Sequence, residues 1–165
     1  MIIVGIDPGL SGAIASFSPD YNKVIVRDMP TVKGKTRGRD LDVEGLLDIA
    51  MYHHELDLIV MEKPVLARPG EGRGSIGKFG YTTGLTEGIY RGFNSECAFM
   101  LVSPQKWKAH FGLIGEGKDA SRGLAAVRFD DYEMFKRKKD DGRAEAALMA
   151  LYGYETHIKK ESDVE

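Results

Sequence analysis

The stretch Met1-Ile2-Ile3-Val4-Gly5-Ile6-Asp7-Pro8-Gly9-Leu10-Ser11-Gly12 decides the fold class. An apolar run rich in β-branched residues ends in a carboxylate, and Pro8, Gly9 and Gly12 then turn the chain. That pattern predicts a buried strand over 1–6 with Asp7 at its exit from the core. Pro8 has no N–H to give to a sheet ladder, and the glycines admit close backbone approach. An acid so placed has two readings. It accepts backbone N–H groups in an Asx-type turn, or it serves a metal or phosphate.

The rest of the chain bears on that choice. Residues 13–18 and 23–28 read as two further strands joined by the turn Pro19-Asp20-Tyr21-Asn22, so the first three strands form an antiparallel meander. Residues 29–40 read as a loop, and 41–54 as a helix with Asp42 as its N-cap. Asp57-Leu58-Ile59-Val60-Met61-Glu62-Lys63-Pro64 then repeats the opening pattern, a buried strand ending in an acid before a proline. A helix between two apolar strands predicts a parallel crossover, which sets Asp7 and Glu62 side by side at the carboxyl edge of the sheet. Two adjacent carboxylates repel unless a proton or cation compensates.

Residues 65–74 read as a second loop, and 75–93 as a long helix in which Gly80, Gly84 and Gly88 share a face. Glycine weakens a helix, so that face predicts close packing on the sheet or on a partner helix. A fifth strand follows over 98–103, then a short helix with Pro104 in its first turn, a glycine elbow over 111–117 and a helix over 118–129. The alanine-rich run 140–152 is a strong helix former. Asp141 and Glu145 stand four apart and share a helical face, whereas Asp140 falls on another. Asp141 is therefore preferred to Asp140 as a partner of Glu145.

Composition narrows the function classes. With 42% apolar and 29% charged residues the chain reads as a soluble globular protein, and the expectation is one domain over 1–158 with a frayed acidic tail over 159–165. No stretch approaches the ~20 apolar residues of a membrane span, and no secretory signal is legible. The single cysteine, Cys97, excludes an intrachain disulfide and suits a reducing compartment. Its simplest reading is a buried free thiol, because His53, His54, His110 and His157 are not at zinc-ligand spacing with it. Net charge is only −2, yet the cations are clustered. Lys33, Lys35, Arg37 and Arg39 form one group, Arg68, Arg73 and Lys78 a second, Lys106 and Lys108 a third, Lys118 with Arg122 a fourth, and Lys136 to Lys139 a fifth. Each alone suits a solvated face; together they predict a surface that tracks phosphates, with all members of the first four groups except Lys118 assigned to DNA binding.

Taken together, the chain resembles the RuvC-like Holliday junction resolvases of the RNase H-like superfamily, the small phage-encoded members most of all. The resemblance rests on Gly5-Ile6-Asp7-Pro8-Gly9, Val60-Met61-Glu62-Lys63-Pro64, the glycine-bearing run Ser75 to Gly84, Pro104 to Lys108 with Gly115 to Lys118, and Asp141-Gly142-Arg143-Ala144-Glu145. It implies an α/β fold with a five-stranded mixed sheet, its first three strands antiparallel, flanked by helices. It also implies a homodimer in which each subunit cuts one strand of a four-way DNA junction, leaving 5′-phosphate and 3′-hydroxyl ends. By resemblance, Asp7, Glu62, Asp141 and Glu145 bind two Mg²⁺ or Mn²⁺ ions, Lys118 joins them as a catalytic residue, and Lys108 lies near the phosphate. The implied location is cytoplasmic, in a bacterial host if the protein is phage-encoded.

Two departures from that pattern carry consequences. Bacterial members place an aromatic residue shortly after the second acid to stack at the junction centre, where this chain has Val65 or Leu66. Forks and flaps therefore join four-way junctions as expected substrates. The last acid is Glu145 rather than Asp, four residues after its partner instead of three. Two other classes remain: a catalytically silent branched-DNA binding module, and an actin-like Mg-dependent ATPase, whose duplicated fold needs a far longer chain.

Overall fold

Alternation along the first strand divides its side chains between two cores. In the computed structural model, which describes residues 1–34, 38–53, 55–64 and 73–158, β1 spans Ile3–Asp7. Ile3 faces one cluster, with Phe17, Leu58, Val60, Trp107 and Leu148, and Val4 and Ile6 face the other, with Ile14, Leu46, Ile59, Met61 and Tyr90. A strand buried on both faces reads as a continuous apolar run, which is how residues 1–6 read.

β2 (Ala13–Ser18) and β3 (Lys23–Asp28) complete an antiparallel meander with β1, and two short strands, β4 (Thr31–Lys33) and β5 (Arg39–Leu41), pair with each other. α1 (Val43–Tyr52) crosses over to β6 (Leu58–Glu62), which runs parallel to β1 with Ile6 opposite Met61. α2 (Arg73–Phe93) crosses to β7 (Ala98–Val102), parallel to β6 with Glu62 opposite Val102. The sheet order is β3-β2-β1-β6-β7, an RNase H-like arrangement. α3 (Pro104–His110), α4 (Lys118–Phe129), α5 (Tyr132–Phe135) and α6 (Asp141–Gly153) follow. Among the described residues no helix is long and apolar enough to cross a membrane.

One expectation is corrected and another is narrowed. The segment 29–40 contains strands, because Lys33 pairs with Arg39 and closes a small hairpin. Between α4 and α6, the short α5 is capped by Asp131, whose carboxylate accepts from the Met134 N–H at 2.9 Å. The glycine face of α2 does not pack on the sheet: a Cβ added at Gly80, Gly84 or Gly88 would meet no described atom within 4 Å. The cap at Asp42 does form, accepting the Gly45 N–H at 3.1 Å. Cys97 is half-buried beside the second core, and burial raises its thiol pKa.

α6 lies directly on the sheet. Its residues from Ala146 to Gly153 are buried all round, and a Cβ on Gly5 would fall on the carbonyl oxygen of Ala146 and 2.6 Å from the Ala150 nitrogen. Near its far end, a Cβ on Gly153 would come 2.5 Å from Val60 Cγ2. Glycine in the strand and alanines in the helix thus let two backbones touch. On the opposite face, His53 at the end of α1 bonds Ser16 Oγ through Nε2 at 2.7 Å and Tyr90 Oη through Nδ1 at 3.0 Å. This chain ties α1 to β2 and α2, and burial, aided by the Arg27 charge, pushes the imidazole down to about 4 and keeps it neutral.

Two glycine substitutions should act oppositely. Gly5→Ala forces two backbones apart and is expected to cost about 3 kcal/mol or more. Gly88→Ala on the open face of α2 should stabilise an isolated chain by up to about 1 kcal/mol. Urea denaturation at low protein concentration measures both.

Candidate active site

Four acids reach one end of the sheet from three elements. Asp7 ends β1 and Glu62 ends the parallel neighbour β6, one residue beyond the Ile6–Met61 pair. Asp141 and Glu145 come from the first turns of α6. The helix start is pressed onto the Asp7 turn, for a Cβ on Gly142 would lie 2.6 Å from the Ser11 carbonyl oxygen and 2.7 Å from Gly12 Cα. The turn itself is closed by the Gly12 N–H donating to the Gly9 carbonyl at 2.8 Å. Gly12 is needed there, since its Cβ would stand 2.7 Å from the Asp7 carboxyl carbon. Asp7, Gly9, Ser11, Gly12, Lys139, Asp141, Gly142 and Glu145 line a cavity of about 370 Å³.

Each carboxyl group meets a different partner. Asp7 Oδ1 accepts the Gly9 N–H at 3.2 Å, so the Asx-turn reading of this residue describes a real contact. That bond and the Lys108 charge are outweighed: burial, then repulsion from Glu62 and Glu145, pushes Asp7 up to about 7. Glu62 Oε2 accepts the indole N–H of Trp107 at 3.1 Å. Glu145 Oε1 pairs with Lys108 Nζ at 3.0 Å, and Asp141 Oδ1 lies 3.5 Å from Arg122 Nε. Arg122 also pairs with Asp119 and is nine-tenths buried.

The two neighbouring acids at the start of α6 part company. Asp141 lines the cavity, while Asp140 is buried against Arg137, accepting its backbone N–H at 2.8 Å and its Nη2–H at 2.7 Å. Burial opposes ionisation of Asp140, but the Arg137 bonds together with the Arg137 and Arg143 charges outweigh it and hold the carboxyl below its ordinary range.

The cationic residues predicted to bind DNA are unequally placed. Arg39 on β5 donates to Ser11 Oγ at 2.9 Å, which sets it on the Asp7 turn. Lys78 on α2 anchors that hairpin, contacting the Arg39 carbonyl and the Asp40 carboxylate at 2.6 Å each. Lys108 and Arg122 reach the acids directly, whereas Lys33 and Lys106 are exposed away from these contacts. Lys35, Arg37 and Arg68 lie outside the described residues, as do the side chains of Arg73 and Lys118 at the starts of α2 and α4. Sequence reasoning assigned no role to Trp107, and took Lys139 as part of the basic run Lys136 to Lys139 rather than as a lining residue of this cavity. The single tryptophan of the chain, inside a motif already quoted, was the signal for the first.

The donor set suits hard divalent cations, being made of carboxylate oxygens with water-accessible space beside them. The high pKa of Asp7 comes first from burial and then from the Glu62 and Glu145 charges, so its ionised form is under-compensated. Among the described residues, however, no three His, Cys, Asp or Glu side chains are gathered on one point as metal ligands. Lys108 and Arg122 supply positive charge to Glu145 and Asp141 instead.

Solved structures share this fold. Over 94% of this chain and 95% of the other, it matches RuvC from Thermus thermophilus with a TM-score of 0.59 and 13% identity. T. thermophilus RuvC in complex with Holliday junction substrate gives 0.58 and 16%, with 94% of each chain covered. The yeast mitochondrial Holliday junction resolvase Ydc2 gives 0.52 and 17%, over 96% of this chain and 83% of that one. No protein-family model matches the sequence, and no curated protein sequence does either. At such identities the likeness is one of fold.

Asp7 sets a testable pH dependence. Its pKa is raised from 3.8 to about 7, so across that window the folded state holds the proton more firmly than the unfolded chain. Stability contributed by this group therefore falls as pH rises from 3.8 to about 7, and the full cost is present above. In EDTA at pH 8, Asp7→Asn should melt several degrees above the wild type. The gap should shrink as pH falls to 4, which thermal melts across pH will show.

Proposed function

We propose that the chain is a metal-dependent, structure-selective endodeoxyribonuclease that cuts four-way junctions and other branched DNA. The observation that carries this reading is the cavity that Asp7 shares with Asp141 and Glu145 at the end of β1, where burial and then the Glu62 and Glu145 charges destabilise Asp7 as a carboxylate. The shared fold with junction resolvases supports it. Asp7, Glu62, Asp141 and Glu145 would hold two Mg²⁺ or Mn²⁺ ions. Such ions, when bound, activate water and stabilise charge at a phosphodiester under in-line attack. A nearby cation also favours the ionised form of Asp7.

The remaining roles belong to the chain's own cations. Lys108 can exchange Glu145 for a phosphate oxygen once the acid is otherwise engaged, and Lys118 is assigned beside it by the resemblance. Arg39, held on the Ser11 hydroxyl and backed by Lys78, suits a phosphate on the near side of the cavity. Arg122 is better placed to hold Asp141 than to meet DNA, because it is largely buried. We further propose a homodimer, with the open glycine face of α2 as the surface where a second copy packs. Products would carry 5′-phosphate and 3′-hydroxyl ends.

One observation favours a second reading, a branched-DNA binding module without catalysis. Lys108 and Arg122 already compensate two of the four acids, and among the described residues no three acids are gathered on one point. Labelled four-way junctions, forks, flaps and linear duplex, incubated with and without Mg²⁺, separate the two. The nuclease reading expects cutting of branched substrates only with metal, abolished in Asp7→Asn while junction binding persists. Binding without any cutting would leave the module. Binding should also weaken steeply with salt, and Arg39→Ala should reduce the salt slope by about one phosphate contact.

A further inference from the structure

Trp107 is wholly buried, and its one polar atom points at Glu62. The topology explains how it arrives there. Glu62 ends β6 opposite Val102 on β7, and the chain leaves β7 directly into α3. Ser103 caps that helix by accepting the Lys106 N–H at 3.4 Å, and Pro104 sets its first turn. Five residues beyond Val102, the indole therefore lies beneath the end of the neighbouring strand. A buried indole N–H left without an acceptor costs about 1–3 kcal/mol, so the pairing is demanded from both sides.

The contact differs in kind from the others at the site. Lys108 and Arg122 bring full positive charges to Glu145 and Asp141, and so compete with any cation those acids might bind. The indole is neutral. It fixes one oxygen of Glu62 in direction without itself bringing a positive charge. The ring is also held by packing, and Lys108 Nζ lies 5.1 Å from its centre, so the same indole adjoins the cation paired to Glu145.

We propose that Trp107 is a positioning residue for Glu62, orienting its carboxylate for divalent metal, and that its indole reports optically on occupancy of the site. The proposal rests on the metal-site reading above. It is the chain's only tryptophan, so its fluorescence is free of other indoles. Outer contacts that orient metal ligands typically contribute 10- to 100-fold in affinity.

The test is Mn²⁺ titration of the full chain, followed by free-Mn²⁺ electron paramagnetic resonance and by indole fluorescence. Wild type should bind Mn²⁺ with quenching of Trp107. Trp107→Phe, and the chain carrying the isosteric 3-benzothienylalanine at 107, which keeps the bicyclic shape and lacks the N–H, should bind about 10- to 100-fold more weakly. Circular dichroism in EDTA identifies a variant that has failed to fold, in which case the isostere decides. In a Glu62→Ala background, removing the indole N–H should change Mn²⁺ affinity no further, because the two residues act as one unit. Unchanged affinity in the folded isostere, or an equal loss in the Glu62→Ala background, would overturn the positioning role. Failure of wild type itself to bind Mn²⁺ overturns the metal-site reading, and this proposal with it.

Discussion

The contact on which the arrangement depends is that between Gly5 and the backbone of α6. No side chain separates them, so the helix rests on the central strand at the shortest distance two backbones permit. That depth brings Gly142 against the Ser11–Gly12 turn and carries Asp141 and Glu145 to the end of β1. A methyl group at Gly5, Gly142 or Gly153 would lift the helix and draw its acids away from Asp7. The alanines of α6 contribute in the same way: they bury surface on every side while occupying little of it.

Bringing those acids together works against the fold. Ordinary cores contain few carboxylates, because a buried charge needs compensation. Here compensation is uneven. Asp140 has Arg137 and Arg143, Glu145 has Lys108, and Asp141 has Arg122, yet among the described residues a backbone N–H and the Lys108 charge do not offset burial and two acidic neighbours at Asp7. A strained carboxylate of this kind is a common mark of a functional site rather than of a structural ion pair. The neutral Trp107–Glu62 bond fits the same scheme, since it gives direction without adding a positive charge.

Much of this was legible along the chain. The two apolar runs ending in Asp7 and Glu62 read as parallel strands because a run buried on both faces shows no alternation, and a helix between them allows only a crossover. The i, i+4 relation of Asp141 and Glu145 was equally readable, and it set Asp140 apart. Less legible was the hairpin of β4 and β5, whose three-residue strands carry too few side chains to show a period. The open face of α2 was misjudged in part for a related reason: spacing aligns Gly80, Gly84 and Gly88, but nothing in it says whether they meet the sheet or open space.

The sequence by itself determined the three-strand meander, the parallel crossover and the helical face that Asp141 shares with Glu145, because each depends on local pattern: apolar runs, turn residues and helical spacing. Tertiary structure alone decided which cation meets which acid, that Arg39 returns to the Ser11 hydroxyl, and that Trp107 beneath β6 bonds Glu62. The contacts of Arg122 with Asp141, Arg39 with Ser11, Lys108 with Glu145 and Trp107 with Glu62 join residues 19 to 45 positions apart. Their distances are set by how closely α3, α4 and α6 pack on the sheet, and packing depth is a property of volumes in contact that no local pattern encodes.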